Sequence, residues 1–157
     1  MKTNIPERLA ALRNAMKQQP IDAYIIPSSD PHLSEYPADC WKAREWMSGF
    51  TGSAGTLVVT AGKAGLWTDS RYFLQAGLQL EGTGIDLYKM GLPDTPAPAE
   101  FLLHELQPGA TVGLNGQTYS AADAIRLENE LQKKAISLRT DADLIEPIWQ
   151  ERPAIPD

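Results

Sequence analysis

The stretch TLVVTAGKAGLWT, residues 56–68, contains two short apolar runs on either side of a turn centred on Gly62. Glycine readily takes the positive φ angles of tight turns, and β-branched and aromatic residues favour strands. The pattern therefore predicts an antiparallel hairpin with strands at Thr56–Thr60 and Ala64–Thr68. The side chains that this hairpin is expected to bury are Leu57, Val59 and Trp67.

Helical and strand patterns continue on both sides of the hairpin. Before it, apolar residues at helical spacing predict an amphipathic helix, and a strand is expected at Ala23–Pro27. The apolar positions of that helix are Ile5, Leu9, Leu12 and Met16. After the hairpin, strands are predicted at Asp86–Lys89 and Thr111–Leu114, with a helix in AEFLLHEL between them. A helix at 120–134, opened by Ser120, is followed by a last strand in AISLR and a short helix in DADLIEPIW.

Strands that alternate with helices, together with one hairpin, indicate an α/β fold with a mixed sheet and helices on both faces. The packed domain is expected to span residues 1–150. The proline-containing tail, residues 151–157, is typical of the start of a linker.

Composition narrows the classes of partner and the cellular location. The net charge is −6, and the 14 basic residues are scattered along the chain, which disfavours nucleic acid. A single cysteine, Cys40, excludes an internal disulfide. Met1 to Pro20 contain no apolar run long enough for a signal peptide or a membrane span. We therefore expect a cytoplasmic protein that binds no membrane.

Residues suited to metal binding are few, with two histidines and one cysteine in the whole chain. Glu100 and His104 are one helical turn apart, a spacing that could hold a metal, but both are expected on the solvated face of their helix. Because three or more convergent ligands are needed for a catalytic metal, we expect no metal site in this chain.

Two polar loops allow more than one interpretation. In SSDPHLSEY, His32 could join Ser28 or Ser29 and Asp30 as a hydrolytic relay, or the loop could be an ordinary hydrogen-bonded turn. In SGFTGSAGT, the glycines could cradle a phosphate or let the backbone pass close to a neighbour. Its glycines are Gly49, Gly52 and Gly55. Neighbours in sequence rarely form a catalytic triad, and the glycine spacing matches no phosphate-binding motif, so the structural interpretations are favoured. Nearby, Trp41 and Trp46, close to Arg44, could pack under the loop or be exposed.

Arg71 occupies an unusual place for a cation. WTDSRYFLQ predicts a strand that passes through a polar turn into a helix whose inward face carries Phe73, Ala76, Gly77 and Leu80. Arg71 then lies in the first helical turn, where the peptide dipoles disfavour positive charge by about 0.3–1 kcal/mol. Neutralisation by Asp69, two residues upstream, would offset that cost.

Five stretches, in order, resemble the N-terminal domain of cytosolic three-domain Xaa-Pro aminopeptidases (aminopeptidase P) of the creatinase/prolidase superfamily. They are SDPHLSEY (29–36), SGFTGSAGT (48–56), WTDSRYFLQA (67–76), KMGLPDTP (89–96) and IWQERPAIP (148–156). The resemblance covers the chain from about residue 5 to its end. Ser70 departs from the glycine expected before the arginine, and serine still suits a helix cap.

The resemblance implies a ribonuclease-H-like α/β domain from a longer parent chain. A second domain would follow, and then a catalytic domain that binds two divalent metal ions, usually manganese, through two Asp, one His and two Glu, none of which lies here. The parent would remove the N-terminal residue from peptides with proline second, and this domain would help to form the substrate cleft and the dimer. The resemblance also implies that Arg71 binds substrate. The alternative is a peptide- or protein-binding module without peptidase activity.

Overall fold

The structure is a computed structural model that describes residues 4–27 and 42–149. The helices within these ranges are α1 (Ile5–Gln18), α2 (Ala43–Ser48), α3 (Phe73–Gln79), α4 (Pro98–Glu105) and α5 (Ala121–Gln132). The strands are β1 (Ala23–Pro27), β2 (Thr56–Thr60), β3 (Ala64–Thr68), β4 (Asp86–Lys89), β5 (Thr111–Leu114) and β6 (Ser137–Arg139). Short 3-10 turns occupy Ser70–Tyr72 and Gly116–Thr118.

The strands form one mixed sheet in the order β4-β3-β2-β1-β5-β6. Strand β2 is antiparallel to both β1 and β3, whereas β4 is parallel to β3, and β5 is parallel to β1 and β6. The predicted hairpin is confirmed, with Leu57 opposite Leu66 and Val59 opposite Ala64. Leu57, Val59 and Trp67 are all buried, as expected. Because β2 alone runs the other way, the carboxyl ends of the other five strands lie at one edge of the sheet, here called the carboxyl edge.

Helices cover both faces of the sheet, which confirms the predicted architecture. One core lies beneath α1, α2 and α3, and the other lies beneath α4 and α5. Alternating side chains supply the two cores: in β2, Leu57 and Val59 face the first and Val58 faces the second. The four apolar positions predicted for α1 are its buried residues.

The helix that begins after Ser120 is also confirmed. The Ser120 hydroxyl accepts a hydrogen bond from the Asp123 N–H at 3.0 Å, which satisfies a donor that has no partner inside the helix. Leu127 and Leu131 bury its inner face. The predicted strand in AISLR is present as β6.

The predicted helix in DADLIEPIW is wrong. The Asp143 carboxylate accepts the N–H groups of Ile145 and Glu146 at 3.1 Å each, which fixes a turn, and Pro147 has no N–H to continue a helical ladder. The segment is held by packing instead. The Trp149 ring stacks on Trp46 of α2, with ring centroids 5.2 Å apart.

Candidate functional site

The carboxyl edge brings together three of the five stretches that carry the resemblance. The loop at 49–55 leads into β2, the turn at 69–72 follows β3, and the loop at 90–96 follows β4. Thr68, the last residue of β3, joins them: its hydroxyl donates to the Ala54 carbonyl at 2.6 Å, and its own carbonyl accepts the Met90 N–H at 3.0 Å. In open α/β sheets, ligands bind at the carboxyl ends of strands.

Arg71 is paired with Asp69 in a bidentate arrangement. Its Nε donates to Oδ1 at 3.0 Å and its Nη2 donates to Oδ2 at 2.9 Å. Oδ1 also accepts the Arg71 backbone N–H at 3.0 Å, so Asp69, and not Ser70, caps the turn. The expected capping role of Ser70 is therefore wrong, because Asp69 already has the extended backbone and the acceptor that the cap requires.

The electrostatics of this pair agree with the local neutralisation of Arg71 by Asp69. The hydrogen bond from Arg71 holds the pKa of Asp69 below its ordinary value. The arginine side chain remains 57% exposed, so the pair contributes only about 0–1 kcal/mol to stability. Arg71 is thus neutralised locally, as expected, and it remains accessible to solvent.

Helix α3 begins one turn later than the sequence suggested, because residues 70–72 form a 3-10 turn before it. Ala76 and Leu80 are buried, whereas Gly77 is exposed and does not belong to the inner face. Arg71 therefore projects from the tight turn between β3 and α3 rather than from a regular helical turn.

The glycines of the 49–55 loop allow close packing, which confirms the structural interpretation of this loop. Gly49 has φ +78°, in the left-handed region. A Cβ on Gly52 would collide with the Phe50 ring and would lie 2.9 Å from Tyr72 Cδ1. A Cβ on Gly55 would lie 2.9 Å from Arg44 Nη1. No larger residue fits at 52 or 55 without displacing its neighbours.

The same loop is bonded to the segment that carries Arg71. The hydroxyls of Ser53 and Tyr72 are 2.6 Å apart, and the rings of Phe50 and Tyr72 meet edge to face with centroids 5.7 Å apart. The loop also contacts the far end of α3, where the Thr51 N–H donates to the Gln79 side chain at 3.0 Å. The position of Arg71 therefore depends on the conformation of the loop.

Arg44 lies beneath the loop and is only 5% exposed, although the sequence did not show that it would be buried. Its Nη2 donates to the Gly52 carbonyl at 2.5 Å, and its guanidinium lies 4.9 Å from the centre of the Phe50 ring. Within the described part of the chain, its Nε and Nη1 have no hydrogen-bond acceptor. Burial lowers the pKa of Arg44 to about 10, and Glu45 and Tyr72 partly oppose that shift. Adjacent Trp46 is half-buried and packs against Trp149.

The remaining candidate residues do not converge on this edge. Glu100 and His104 are exposed on α4 as predicted, and His104 Nδ1 lies 2.9 Å from the Glu105 carboxylate. In residues 4–27 and 42–149, no three His, Cys, Asp or Glu side chains are grouped so as to hold a metal ion. None of the helices there is long and apolar enough to cross a membrane. The candidates outside the described residues are Ser28, Ser29, Asp30, His32, Cys40 and Trp41.

Comparison with known proteins identifies the family. A family model described as the Creatinase/Prolidase N-terminal domain matches residues 8–146. A probable Xaa-Pro aminopeptidase P from Laccaria bicolor is 43% identical over 157 residues, which cover 98% of this chain and 24% of that protein. Aminopeptidase P2 from Arabidopsis thaliana is 43% identical over 160 residues, which cover 99% of this chain and 22% of that protein.

A solved structure agrees with these matches. The X-prolyl aminopeptidase from Caenorhabditis elegans, described as a cytosolic enzyme with a di-nuclear active site, superposes with a TM-score of 0.89 at 33% identity. The superposition covers 96% of this chain and 26% of that one. The chain therefore spans about a quarter of the length of the relatives that it matches.

Proposed function

The chain belongs to the creatinase/prolidase N-terminal domain family, and we propose that it is the non-catalytic N-terminal domain of a metal-dependent Xaa-Pro aminopeptidase. The observation that carries this proposal is 43% identity along nearly the whole chain to a probable Xaa-Pro aminopeptidase P and to aminopeptidase P2, which are both about four times longer. The parent enzyme would remove the N-terminal residue from peptides with proline in second position. We infer that it acts in the cytoplasm as a homodimer.

The metal ions of the parent enzyme, which we infer to be two manganese ions, would be bound outside residues 1–157. This proposal is supported by the match to only about a quarter of the length of the relatives, one of which is described as having a di-nuclear active site. Hydrolytic metal sites use several convergent carboxylates and histidines, and this sequence has only two histidines. The metals would supply the activated water, and this domain would contribute to binding and orienting the peptide.

Arg71 is the residue that we propose for peptide binding. It stands at the carboxyl edge on a turn between a buried strand and a helix, where a rigid scaffold presents an exposed side chain. A guanidinium is planar and permanently charged, so it can hold a carboxylate or peptide carbonyls through two hydrogen bonds. Arg71 would therefore reach from this domain toward peptide in the catalytic cleft.

The test replaces Arg71 by alanine in the full-length enzyme and measures kcat/KM for the tripeptide Arg-Pro-Pro. We expect kcat/KM to fall by about 10–100-fold, equivalent to about 1.4–2.8 kcal/mol, with little change in melting temperature. Arg126→Ala is the matched control, because Arg126 is also an exposed arginine paired with a nearby aspartate, Asp123, and it lies on α5. Unchanged kcat/KM in Arg71→Ala, or unfolding of the domain, would assign Arg71 a structural role.

A second measurement tests the non-catalytic assignment. Residues 1–157 incubated with Arg-Pro-Pro and excess Mn²⁺ should release no free arginine above background. Release that increases with the concentration of the pure chain would contradict the proposal. A full-length parent without peptidase activity would instead favour the binding module.

A further inference from the structure

The residue that follows Arg71 in the sequence, Tyr72, also contacts it in space. The Arg71 Cζ atom lies over the Tyr72 ring, 5.1 Å from the ring centre. A guanidinium within about 6 Å of an aromatic ring centre is attracted to the negative face of that ring. The turn between β3 and α3 therefore supplies Arg71 with a ring as well as with the carboxylate of Asp69.

The ring contact matters because the ion pair between Arg71 and Asp69 is exposed. The two side chains are 57% and 39% exposed. Water and dissolved ions compete for both charges at such a site, so an exposed ion pair opens readily. The carboxylate orients the guanidinium while the pair is closed, and the ring of Tyr72 adds a contact that favours this closed geometry.

Tyr72 is itself fixed by the 49–55 loop. Its hydroxyl lies 2.6 Å from the Ser53 hydroxyl, and its ring meets the Phe50 ring edge to face, with an interplanar angle of 80°. Phe50 is fully buried, whereas Tyr72 is half-buried. The ring beneath Arg71 is therefore held both at its hydroxyl and against the core of the domain.

The contacts continue inward to the buried Arg44. Its guanidinium lies 4.9 Å from the centre of the Phe50 ring, and its Nη2 donates to the Gly52 carbonyl at 2.5 Å. A Cβ on Gly52 would collide with Phe50 and would lie 2.9 Å from Tyr72 Cδ1, so the rings are closely packed at this point. A continuous series of side chains thus connects the core to the carboxyl edge: Arg44, Phe50, Tyr72 and Arg71.

We propose that Tyr72 is a positioning residue, whose ring holds the Arg71 guanidinium in the orientation that binds the peptide. This inference rests on the proposed function, because that function assigns peptide binding to Arg71. A binding group that is ordered in advance costs less entropy to engage, and a misplacement of about 1 Å can lower a rate about 100-fold. Tyr72 would therefore act through Arg71 and not on the peptide itself.

Kinetics of the full-length enzyme with Arg-Pro-Pro test this coupling. Tyr72→Leu should lower kcat/KM by about 3–30-fold, with the same division between kcat and KM as Arg71→Ala. When Arg71 is already alanine, Tyr72→Leu should change kcat/KM by less than about twofold, because residues that act as a unit are not additive. Independent effects that multiply in the double variant would overturn the inference.

Two control variants separate positioning from general destabilisation. Tyr72→Phe keeps the ring beneath Arg71, so it should retain at least about one third of the wild-type kcat/KM. Tyr119→Leu removes another half-buried tyrosine, which packs against the core beneath α4 and α5, two strands away from β3 in the sheet. It should leave kcat/KM unchanged. An equal fall of kcat/KM in Tyr119→Leu and Tyr72→Leu would overturn the inference.

NMR relaxation of the Arg71 Nε–Hε bond in residues 1–157 gives a readout that needs no peptidase activity. We expect its order parameter to fall below about 0.6, the range of flexible segments, in Tyr72→Leu, and to stay above that value in wild type, Tyr72→Phe and Tyr119→Leu. Equal order in wild type and Tyr72→Leu would overturn the inference. If Arg71→Ala leaves kcat/KM unchanged while Tyr72→Leu loosens this bond, the proposed function fails and the positioning role of Tyr72 stands.

The wild-type chain provides a test that needs no substitution. In about 1 M NaCl the screening length falls to about 3 Å, which weakens the exposed ion pair with Asp69 more than the ring contact with Tyr72. The order parameter of the Arg71 Nε–Hε bond should therefore stay above about 0.6 in high salt. A fall below that value would show that Asp69 alone orders Arg71 and would overturn the inference.

Discussion

Replacing Gly52 by alanine adds one methyl group at the most crowded point of the loop beneath the Arg71 turn. The new Cβ would overlap the Phe50 ring and lie 2.9 Å from Tyr72 Cδ1. Phe50 is fully buried, with the Arg44 guanidinium on one side and the Tyr72 ring on another, so it cannot simply rotate away. The loop itself must move.

The expected cost follows from three contributions. Forcing a methyl group into a packed core costs about 1–3 kcal/mol. Movement of the loop also weakens the hydrogen bond from Arg44 to the Gly52 carbonyl, and hydrogen bonds to charged groups are worth about 1.5–3 kcal/mol. Alanine also reduces the conformational freedom of the unfolded chain, which stabilises the folded state by about 0.4–1 kcal/mol. The net loss should be about 2–4 kcal/mol of unfolding free energy.

Urea unfolding of residues 1–157, followed by tryptophan fluorescence and by circular dichroism, measures this loss. For a urea m value of about 2 kcal/mol/M, the midpoint should fall by about 1–2 M. Gly62→Ala is the control, because Gly62 does not have the positive φ that the turn pattern predicted and no atom lies within 4 Å of a Cβ placed there. Its midpoint should be unchanged or slightly higher. Phe50→Leu should partly rescue Gly52→Ala by making room. A Gly52→Ala midpoint equal to that of Gly62→Ala would refute the packing argument.

Two further predictions concern other contacts. Hydrogen bonds from Lys63 and then His104 hold the pKa of Glu105 below its ordinary value. The stabilisation that ionised Glu105 contributes is therefore complete above the carboxyl pKa of the unfolded chain, about 4.3, and it is lost as the pH falls through the lower pKa of the folded state. The difference in urea midpoint between wild type and Glu105→Gln should accordingly shrink between about pH 6 and pH 3. Trp67 Nε1 donates to the Pro96 carbonyl at 2.7 Å. Trp67→Phe should lower the unfolding free energy by about 1–3 kcal/mol. Trypsin should also cleave the variant more readily after Lys89, where the 90–96 loop begins. Unchanged stability and cleavage would show that this hydrogen bond does not hold the loop.

The strands could be predicted from the sequence because their signals are local. TLVVT and AGLWT are apolar, β-branched or aromatic, and they flank a glycine turn, so neither their type nor their pairing needed information from elsewhere in the chain. The helix predicted in DADLIEPIW, residues 141–149, did not form, and the reason is again local. Its apolar residues have helical spacing, and Asp143 accepts the N–H groups of Ile145 and Glu146 as a helix cap would. Pro147, however, has no N–H to donate to the carbonyl four residues before it, so only a turn forms.

Arg44 could not be placed from the sequence. Arginine is ordinarily exposed, and α2, which carries Arg44, has only six residues and a weak pattern. What buries Arg44 is a long-range arrangement in which the end of β3 and the 49–55 loop close over the start of α2. The spacing of Gly52 and Gly55 was the available signal, because both glycines leave room for Arg44 and its neighbours, yet glycine spacing does not identify what it accommodates.

The pairing of Arg71 with Asp69 bears on how a binding arginine works. An unrestrained arginine side chain loses about 2 kcal/mol of rotamer entropy when a ligand fixes it. Asp69 occupies Nε and Nη2 and also holds the Arg71 backbone N–H, so much of that ordering is complete before any peptide arrives. Pre-ordering lowers the entropic cost of binding. Local neutralisation and substrate binding are therefore compatible roles, because the carboxylate that neutralises the guanidinium also orients the side chain that we propose binds the peptide.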